Sequence, residues 1–84
     1  MWNDRLRIAE RVLPQWKGLS DAERATVRKA LENIDEDPII GAPLFEPLRG
    51  YWSYRTDHLR IIYRLMPEAR FVIILSITRA AVTD

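Results

Sequence analysis

Apolar residues recur at helical spacing in the first half of the chain and alternate with polar residues in the second half. The clearest helix begins after Ser20 and ends before Pro38, and Ser20 with Glu23 fits an S-x-x-E capping box. Its apolar stripe follows the i, i+3, i+4, i+7 pattern and comprises Val27, Ala30, Leu31 and Ile34. The stripe predicts an amphipathic helix with one face packed on a sheet.

The N-terminal segment fits two periodicities. A helical spacing links Trp2, Leu6, Ala9, Leu13 and Trp16, whereas the run RLRI alternates like a strand. A proline in the middle of the segment, at position 14, would break a long helix unless it lies in a first turn. We therefore predict a short strand at about residues 5–9 and a helix at about residues 11–19 with a distortion at the proline, while a helix over residues 2–9 stays open.

The second half of the chain predicts a sheet. Residues 37–47, DPIIGAPLFEP, contain three prolines and a glycine and predict an irregular linker. Alternating runs then predict antiparallel strands at about residues 51–56, 59–66 and 71–78, with turns at 57–58 and 67–69. The order predicts one α+β domain over residues 1–84: an N-terminal strand, a two-helix hairpin, and three strands, with both helices on one face of a small sheet.

The alternation within these strands assigns their arginines to faces of the sheet. In the strand at 59–66 the predicted core set is Leu59, Ile61, Tyr63 and Leu65. Arg60 and Arg64 then lie on the uncovered face. In the strand at 51–56 the bulky Trp52 and Tyr54 are predicted core. This leaves Arg55, with Tyr51 and Ser53, on the uncovered face.

Alternation in the last strand predicts that Val72, Ile74, Ser76 and Thr78 point outward. Strict alternation puts Arg79 with the core set. Because Arg79 falls at the strand end, where the regular pleat need not continue, we leave its direction undetermined. Arginines grouped on one face suit the binding of a phosphodiester and the stabilisation of charge that develops on it. The alternative is that these arginines form ion pairs with Glu46, Asp57 or Glu68.

Composition excludes several classes of site. The chain has no cysteine, so it has no disulfide, no thiolate zinc site and no thiol nucleophile. Its longest apolar run, FVIIL, is far shorter than a membrane span, and the N-terminal MWNDRLRIAERV lacks the apolar core of a signal peptide. We expect a cytoplasmic protein without a metal or other cofactor. His58, the single histidine, lies in a predicted turn beside Asp57, which favours a structural role over catalysis.

Charge is unevenly distributed along the chain, although the formal net charge is only +1. Residues 1–48 hold seven basic and nine acidic side chains, whereas residues 49–84 hold six basic and three acidic ones. All six of the latter basic residues are arginine, which favours planar, bidentate contacts to phosphate or carboxylate.

These features together resemble a known family. The segments PLRG, WSYR and RIIYRL, followed by FVIILSI and a closing TR, are similar to the RelE/ParE superfamily of bacterial type II toxins. The predicted helical hairpin that ends in D-P agrees with the resemblance, which covers nearly the whole chain. The resemblance implies a cytoplasmic toxin that a cognate antitoxin neutralises within a toxin–antitoxin hetero-oligomer.

The resemblance also implies an activity and a set of site residues. RelE-like members cut mRNA in the ribosome without a metal, through attack of the substrate's 2′-hydroxyl on the adjacent phosphate, which leaves a 2′,3′-cyclic phosphate. By position in the motif, Arg60 and Arg79 are the implied catalytic charge stabilisers. Arg55 is implied to bind substrate, and we place Tyr51 and Arg64 with it because they share its predicted face.

Some positions depart from the family pattern. Ser53 stands where a lysine or arginine is common, Thr78 replaces the histidine of a His-Arg pair, and the tail AAVTD does not reach the position of the family's tyrosine. A general acid or base is therefore not identified. The ParE-like alternative, inhibition of DNA gyrase by protein contact, stays open, as does a weakened toxin that acts as a binding module.

Overall fold

Two helices pack against one face of a five-stranded sheet in the computed structural model, which describes residues 5–66 and 71–79. The elements are β1 (Leu6–Ile8), α1 (Val12–Lys17), α2 (Asp21–Glu36), β2 (Ala42–Pro43), β3 (Tyr51–Thr56), β4 (Leu59–Met66) and β5 (Phe71–Arg79). The strand order is β1-β5-β4-β3-β2; β1 runs parallel to β5 and all other pairs are antiparallel. The predicted α+β fold is confirmed, and the predicted turn at 67–69 lies outside the described residues.

The predicted capping box starts α2. The Ser20 hydroxyl accepts the backbone N–H of Glu23 at 3.1 Å, and the Glu23 carboxylate accepts the backbone N–H of Ser20 at 2.9 Å. Two N–H groups that the helix cannot satisfy internally are thereby bonded. The predicted apolar stripe is buried against the sheet. None of the helices in the described parts of the chain has both the length and the apolar character needed to cross a membrane.

The N-terminal segment is a strand followed by a short helix, as predicted. Pro14 is the third residue of α1 and therefore lies in its first turn. The first N–H groups of a helix have no partner within it, so the proline costs α1 no hydrogen bond. The helix ends at Lys17, earlier than the prediction placed it.

β2 lies inside the predicted linker. Its two residues, Ala42 and Pro43, pair with Ser53 and Trp52 of β3 at the edge of the sheet. An edge is where a strand tolerates proline, since no neighbour needs the missing N–H. Two residues are too few to show an alternating pattern, which is why the sequence did not predict this strand.

The side-chain directions predicted for part of β5 are wrong, because the strand contains a β-bulge. Val72 and Ile74 were predicted to point outward, but they are buried, with 2% and 0% of their surface exposed. The register moves from Ile62 opposite Ser76 to Tyr63 opposite Ile74, which leaves Leu75 as an extra residue. The extra residue reverses the alternation between the two halves of the strand. Ser76 and Thr78 still lie on the uncovered face.

The side chain of Tyr63 connects the core to the linker. It is fully buried, and its ring stacks on Trp52 with centroids 6.4 Å apart. The hydroxyl donates to the carbonyl of Pro38 at 2.8 Å and accepts the N–H of Gly41 at 3.1 Å. Burial raises the pKa of this hydroxyl above its ordinary value. The buried polar group is thus paired, and the linker is attached to β4.

A side chain at position 41 should disrupt the contact between the linker and Tyr63. An added Cβ would lie 2.7 Å from the carbonyl oxygen of Ser53 and 2.8 Å from the Tyr63 hydroxyl. We expect Gly41→Ala to lower the free energy of unfolding by about 1–3 kcal/mol, the usual cost of overpacking, as measured by urea denaturation. Gly18→Ala is the control, because its Cβ would meet nothing closer than 3.6 Å. Equal stability of the two variants would contradict the prediction.

Candidate functional site

The helices leave one face of the sheet uncovered, and the strand register identifies its side chains. Residues directly opposite each other in neighbouring strands point to the same face. This uncovered face, called the arginine face below, comprises Arg7, Tyr51, Ser53, Arg55, Arg60, Ile62, Arg64, Ile73, Ser76 and Thr78. The described strands contain four arginines on this face and no acidic residue at all. The face is therefore electropositive.

Arg55 and Arg60 form the most concentrated charge on the arginine face. They are direct partners across β3 and β4, and both are exposed. Such partners have Cβ atoms about 4.5–5.5 Å apart, where like charges are unfavourable. Within residues 5–66 and 71–79, neither guanidinium has a carboxylate at ion-pair distance. An anion between the two groups would relieve their repulsion.

The carboxylates that could have paired with these arginines lie elsewhere. Glu46 binds Arg49, with Oε2 3.3 Å from Nε. Asp57 lies beside His58, and its Oδ2 is 3.9 Å from Nδ1 of the imidazole. Glu68 falls outside the described residues. Neither Glu46 nor Asp57 therefore forms an ion pair with Arg55 or Arg60.

A second cationic group on the arginine face contains an aromatic ring. Tyr51 and Arg64 are direct partners, and the guanidinium carbon lies 5.2 Å from the ring centroid. Across β5, Arg7 lies 5.2 Å from the ring of Phe71. The sequence analysis placed Tyr51, Arg55, Arg60 and Arg64 on one face, and the structure brings them together there.

Arg79 lies on the other side of the sheet. Its direct partner on β4 is the fully buried Leu59, so its side chain starts from the helix-covered face. There the Arg79 guanidinium donates to both carboxylate oxygens of Glu23, at 2.8 Å and 3.2 Å. Arg60 and Arg79 therefore lie on opposite faces. Arg79 follows Thr78, which points to the arginine face, so regular alternation continues to the end of β5 and puts Arg79 on the covered face.

Glu23 belongs to the candidate site, although the sequence indicated only its capping role. Besides capping α2, its carboxylate lies 2.6 Å from Nε2 of His58 and accepts the two bonds from Arg79. The N–H of Ser20 contributes most, ahead of His58 and Arg79, in lowering the pKa of Glu23 from 4.5 to about 2. The capping box predicted the contact between Glu23 and Ser20. The contacts of Glu23 with His58 and Arg79 depend on how the strands pair.

His58 occupies the two-residue turn between β3 and β4, as predicted. Asp57 has a φ of 58°, in the left-handed region, which gives a tight hairpin turn. The contact with Glu23 holds the imidazole toward α2. The structural role favoured for His58 agrees with this contact. No group of three or more potential metal ligands occurs among the described residues.

An apolar groove of about 480 Å³ runs along β1 and the two helices. It is lined by Leu6, Ile8, Val12, Leu13, Trp16, Arg28, Leu31 and Ile77. Leu13 and Ile8 are 55% and 48% exposed. The guanidinium carbon of Arg28 lies 5.2 Å from the Trp16 ring centroid, so the groove has a cationic rim. The sequence analysis did not identify this groove.

A family model described as the ParE toxin of the type II toxin–antitoxin system parDE matches residues 2–82. The chain belongs to the ParE toxin family. The resemblance to the RelE/ParE superfamily is thereby confirmed. The comparison of this ParE-family chain with curated proteins gave no match.

Solved structures similar to this ParE-family chain are toxins of the same kind. The RelBE2 toxin–antitoxin complex of Mycobacterium tuberculosis matches with a TM-score of 0.81 and 25% identity, over 88% of this chain and 94% of that chain. The intact RelBE complex of E. coli matches with 0.75 and 26%, over 90% and 95%. A YoeB/ParE toxin from Agrobacterium tumefaciens, at 20% identity and a TM-score of 0.75 over 92% and 99%, shares the fold.

The lowered pKa of Glu23 predicts a pH dependence of stability in this ParE-family chain. The contacts of the folded protein stabilise the ionised carboxylate of Glu23. Glu23 therefore contributes its full stabilisation above about pH 4.5 and loses it as the pH falls toward 2. Urea denaturation of the wild type and Glu23→Gln should show a stability difference that narrows as pH falls from 4.5 to about 2. A difference that stays constant over this range would contradict the assignment.

The two predicted catalytic arginines of the ParE-family chain should differ in their effect on stability. Arg60→Gln removes a like-charge pair and should leave the free energy of unfolding unchanged or raise it by about 0.2–1 kcal/mol. Arg79→Gln removes charged hydrogen bonds to the buried Glu23 and should lower it by about 1–2 kcal/mol. Denaturation at neutral pH measures both. The assignment is wrong if Arg60→Gln is the more destabilising change.

Proposed function

We propose that this ParE-family chain is the toxin of a toxin–antitoxin pair and a ribosome-dependent, metal-independent mRNA endonuclease. The observation that carries the proposal is the pair Arg55 and Arg60: two exposed guanidinium groups on one face, with no carboxylate partner in the described part of the chain. A phosphodiester between them would receive planar, charge-assisted hydrogen bonds from both sides. RNA is the anion that the resemblance to RelE-like toxins implies.

The proposed chemistry places few demands on the protein. The 2′-hydroxyl of the substrate loses its proton to solvent water and attacks the adjacent phosphorus. The bond from phosphorus to the 5′-oxygen breaks, this oxygen takes up a proton from water, and a 2′,3′-cyclic phosphate forms. Negative charge builds up on the phosphate oxygens in the transition state, and fixed positive groups stabilise it. Arg60 takes this role, and Arg55 binds the same phosphate. The rigid strand pair supplies alignment and positive charge, whereas the two proton transfers are left to water.

Arg79 acts differently in this proposal than the family motif implied. The Glu23 carboxylate binds its guanidinium on the helix side, so Arg79 does not touch the phosphate held by Arg60. Arg79 and His58 instead attach the ends of β5 and of the β3–β4 hairpin to α2 through Glu23. Since Arg55 and Arg60 flank that hairpin turn, Arg79 serves as a positioning residue.

The proposed partner is a cognate antitoxin. Two of the similar structures, from M. tuberculosis and E. coli, are complexes of a toxin with its antitoxin. The apolar groove along β1 suits the apolar face of an antitoxin helix, because Leu13 and Ile8 are largely exposed there. An acidic residue on that helix would complement Arg28 at the rim. We therefore propose that the chain forms a hetero-oligomer with its antitoxin.

A second candidate function is inhibition of DNA gyrase by protein contact. It is favoured by the position of Arg79, which leaves the arginine face without one of the two charge stabilisers that the motif implies. An exposed face with arginines and without carboxylates can also contact an acidic protein surface. In that case the arginine face binds its target without cleaving RNA.

Induced expression distinguishes the two functions. We expect growth arrest with cuts in cellular transcripts at codon-related positions, mapped by primer extension. Arg60→Gln should slow cleavage by about 10²–10³-fold, the usual cost of removing one charge-stabilising donor. Arg11→Gln is the matched control, since Arg11 is exposed at the start of α1 and away from the arginine face. Growth arrest with intact transcripts and DNA-damage signalling would replace the nuclease with the gyrase inhibitor.

A further inference from the structure

The stacked pair of Tyr51 and Arg64 has features that a phosphate-binding role does not explain. One face of the Tyr51 ring lies under the Arg64 guanidinium at 5.2 Å, and Arg64 remains exposed. The pair thus presents a half-buried aromatic ring and an exposed guanidinium next to each other. Planar guanidinium groups and aromatic rings are the surfaces on which unpaired bases stack.

A glycine lies in the backbone beside this pair. Gly50 precedes Tyr51 with a φ of +93°, a conformation that side chains disfavour. A Cβ at Gly50 would lie 3.8 Å from Nε of Arg64, so a larger side chain would project next to the guanidinium. With glycine at position 50, no side chain of this residue lies against the Arg64 guanidinium.

The pair also lies at a defined distance from Arg55 and Arg60. Tyr51 and Arg55 lie four positions apart along β3, and Arg60 and Arg64 lie four positions apart along β4. At about 3.3 Å per residue, the two groups are about 13 Å apart on the same face. Between them lie Ser53 and Ile62, which carry no charge. A strand of RNA bound at one group can extend across this neutral stretch to the other.

We propose that Tyr51 and Arg64 form a binding site for an unpaired nucleobase of an RNA whose backbone is held at Arg55 and Arg60. The inference rests on the proposed RNA-directed function and adds the class of substrate to it. A duplex keeps its bases stacked on one another and offers none to this surface, whereas a single strand can insert one. The arginine face therefore selects single-stranded RNA over double-stranded RNA.

The test uses the purified full chain and short RNA oligonucleotides that carry the fluorescent base 2-aminopurine at successive positions. We expect quenching at one position, because stacking quenches this base, and weaker binding of the corresponding duplex. Tyr51→Ile, which keeps a strand-favouring apolar side chain, should weaken binding roughly 5- to 150-fold and abolish the quenching. Tyr51→Phe retains the ring and should behave as the wild type.

Two further variants separate stacking from charge. Arg64→Lys keeps the charge but loses the planar group, so it should reduce the quenching and leave the salt dependence of binding unchanged. Arg60→Gln should weaken binding of every oligonucleotide and reduce the salt slope by about 0.7, the value for one phosphate contact in a single strand. Circular dichroism and urea denaturation check that each variant folds.

The outcomes distinguish this inference from the proposed nuclease. Equal binding of duplex and single strand, or unchanged quenching in both Tyr51→Ile and Arg64→Lys, overturns the nucleobase site and leaves the nuclease standing. Position-specific quenching without any cleavage of ribosome-bound mRNA supports the nucleobase site and overturns the nuclease. Absence of measurable RNA binding by the wild type at low salt overturns the nucleobase site.

Discussion

The carboxylate of Glu23 joins three parts of the molecule that are distant along the chain. It caps the first turn of α2, binds the imidazole in the β3–β4 turn, and binds the guanidinium at the end of β5. Any movement of the helix layer relative to the end of this hairpin would break charged hydrogen bonds at a largely buried group. The hairpin end carries Arg55 and Arg60, so the geometry of the candidate site depends on this one acidic side chain.

Acidic side chains are absent from the described strands. Every charged residue of these strands is an arginine, whereas the two helices carry charges of both signs. A sheet selected for stability alone would place neutral or complementary residues opposite each other, yet Arg55 faces Arg60. Such local unfavourable pairs are typical of functional sites, where stability is reduced in favour of binding. The rigid core beneath, with Tyr63 and Ile61 fully buried, holds the pair in place.

Structural features that depend on residues close together in the sequence were predictable from it. The capping box at Ser20, the bounds of β3 and β4 and the common face of Arg55 and Arg60 follow from local periodicity, and the structure agrees. Features that depend on pairing between distant segments were not predictable in the same way. β2 is recognisable only from its pairing with β3. The extra residue Leu75 is recognisable only from the register of β4 against β5, and the contacts of Glu23 beyond its helix cap depend on the same register. The face of Arg79 follows from plain alternation after Thr78, whereas its partner Glu23 is distant in sequence.

The bulge in β5 has a consequence for comparing members of this family. Between Leu75 and Arg79 the strand alternates regularly, with Ile77 inward and Thr78 outward. A single-codon insertion between Ile77 and Arg79 would turn the arginine to the other side without changing its identity. An arginine that occupies the same alignment column in two toxins can therefore be a structural tether in one and a substrate ligand in the other. The number of residues between the bulge and the arginine distinguishes the two cases.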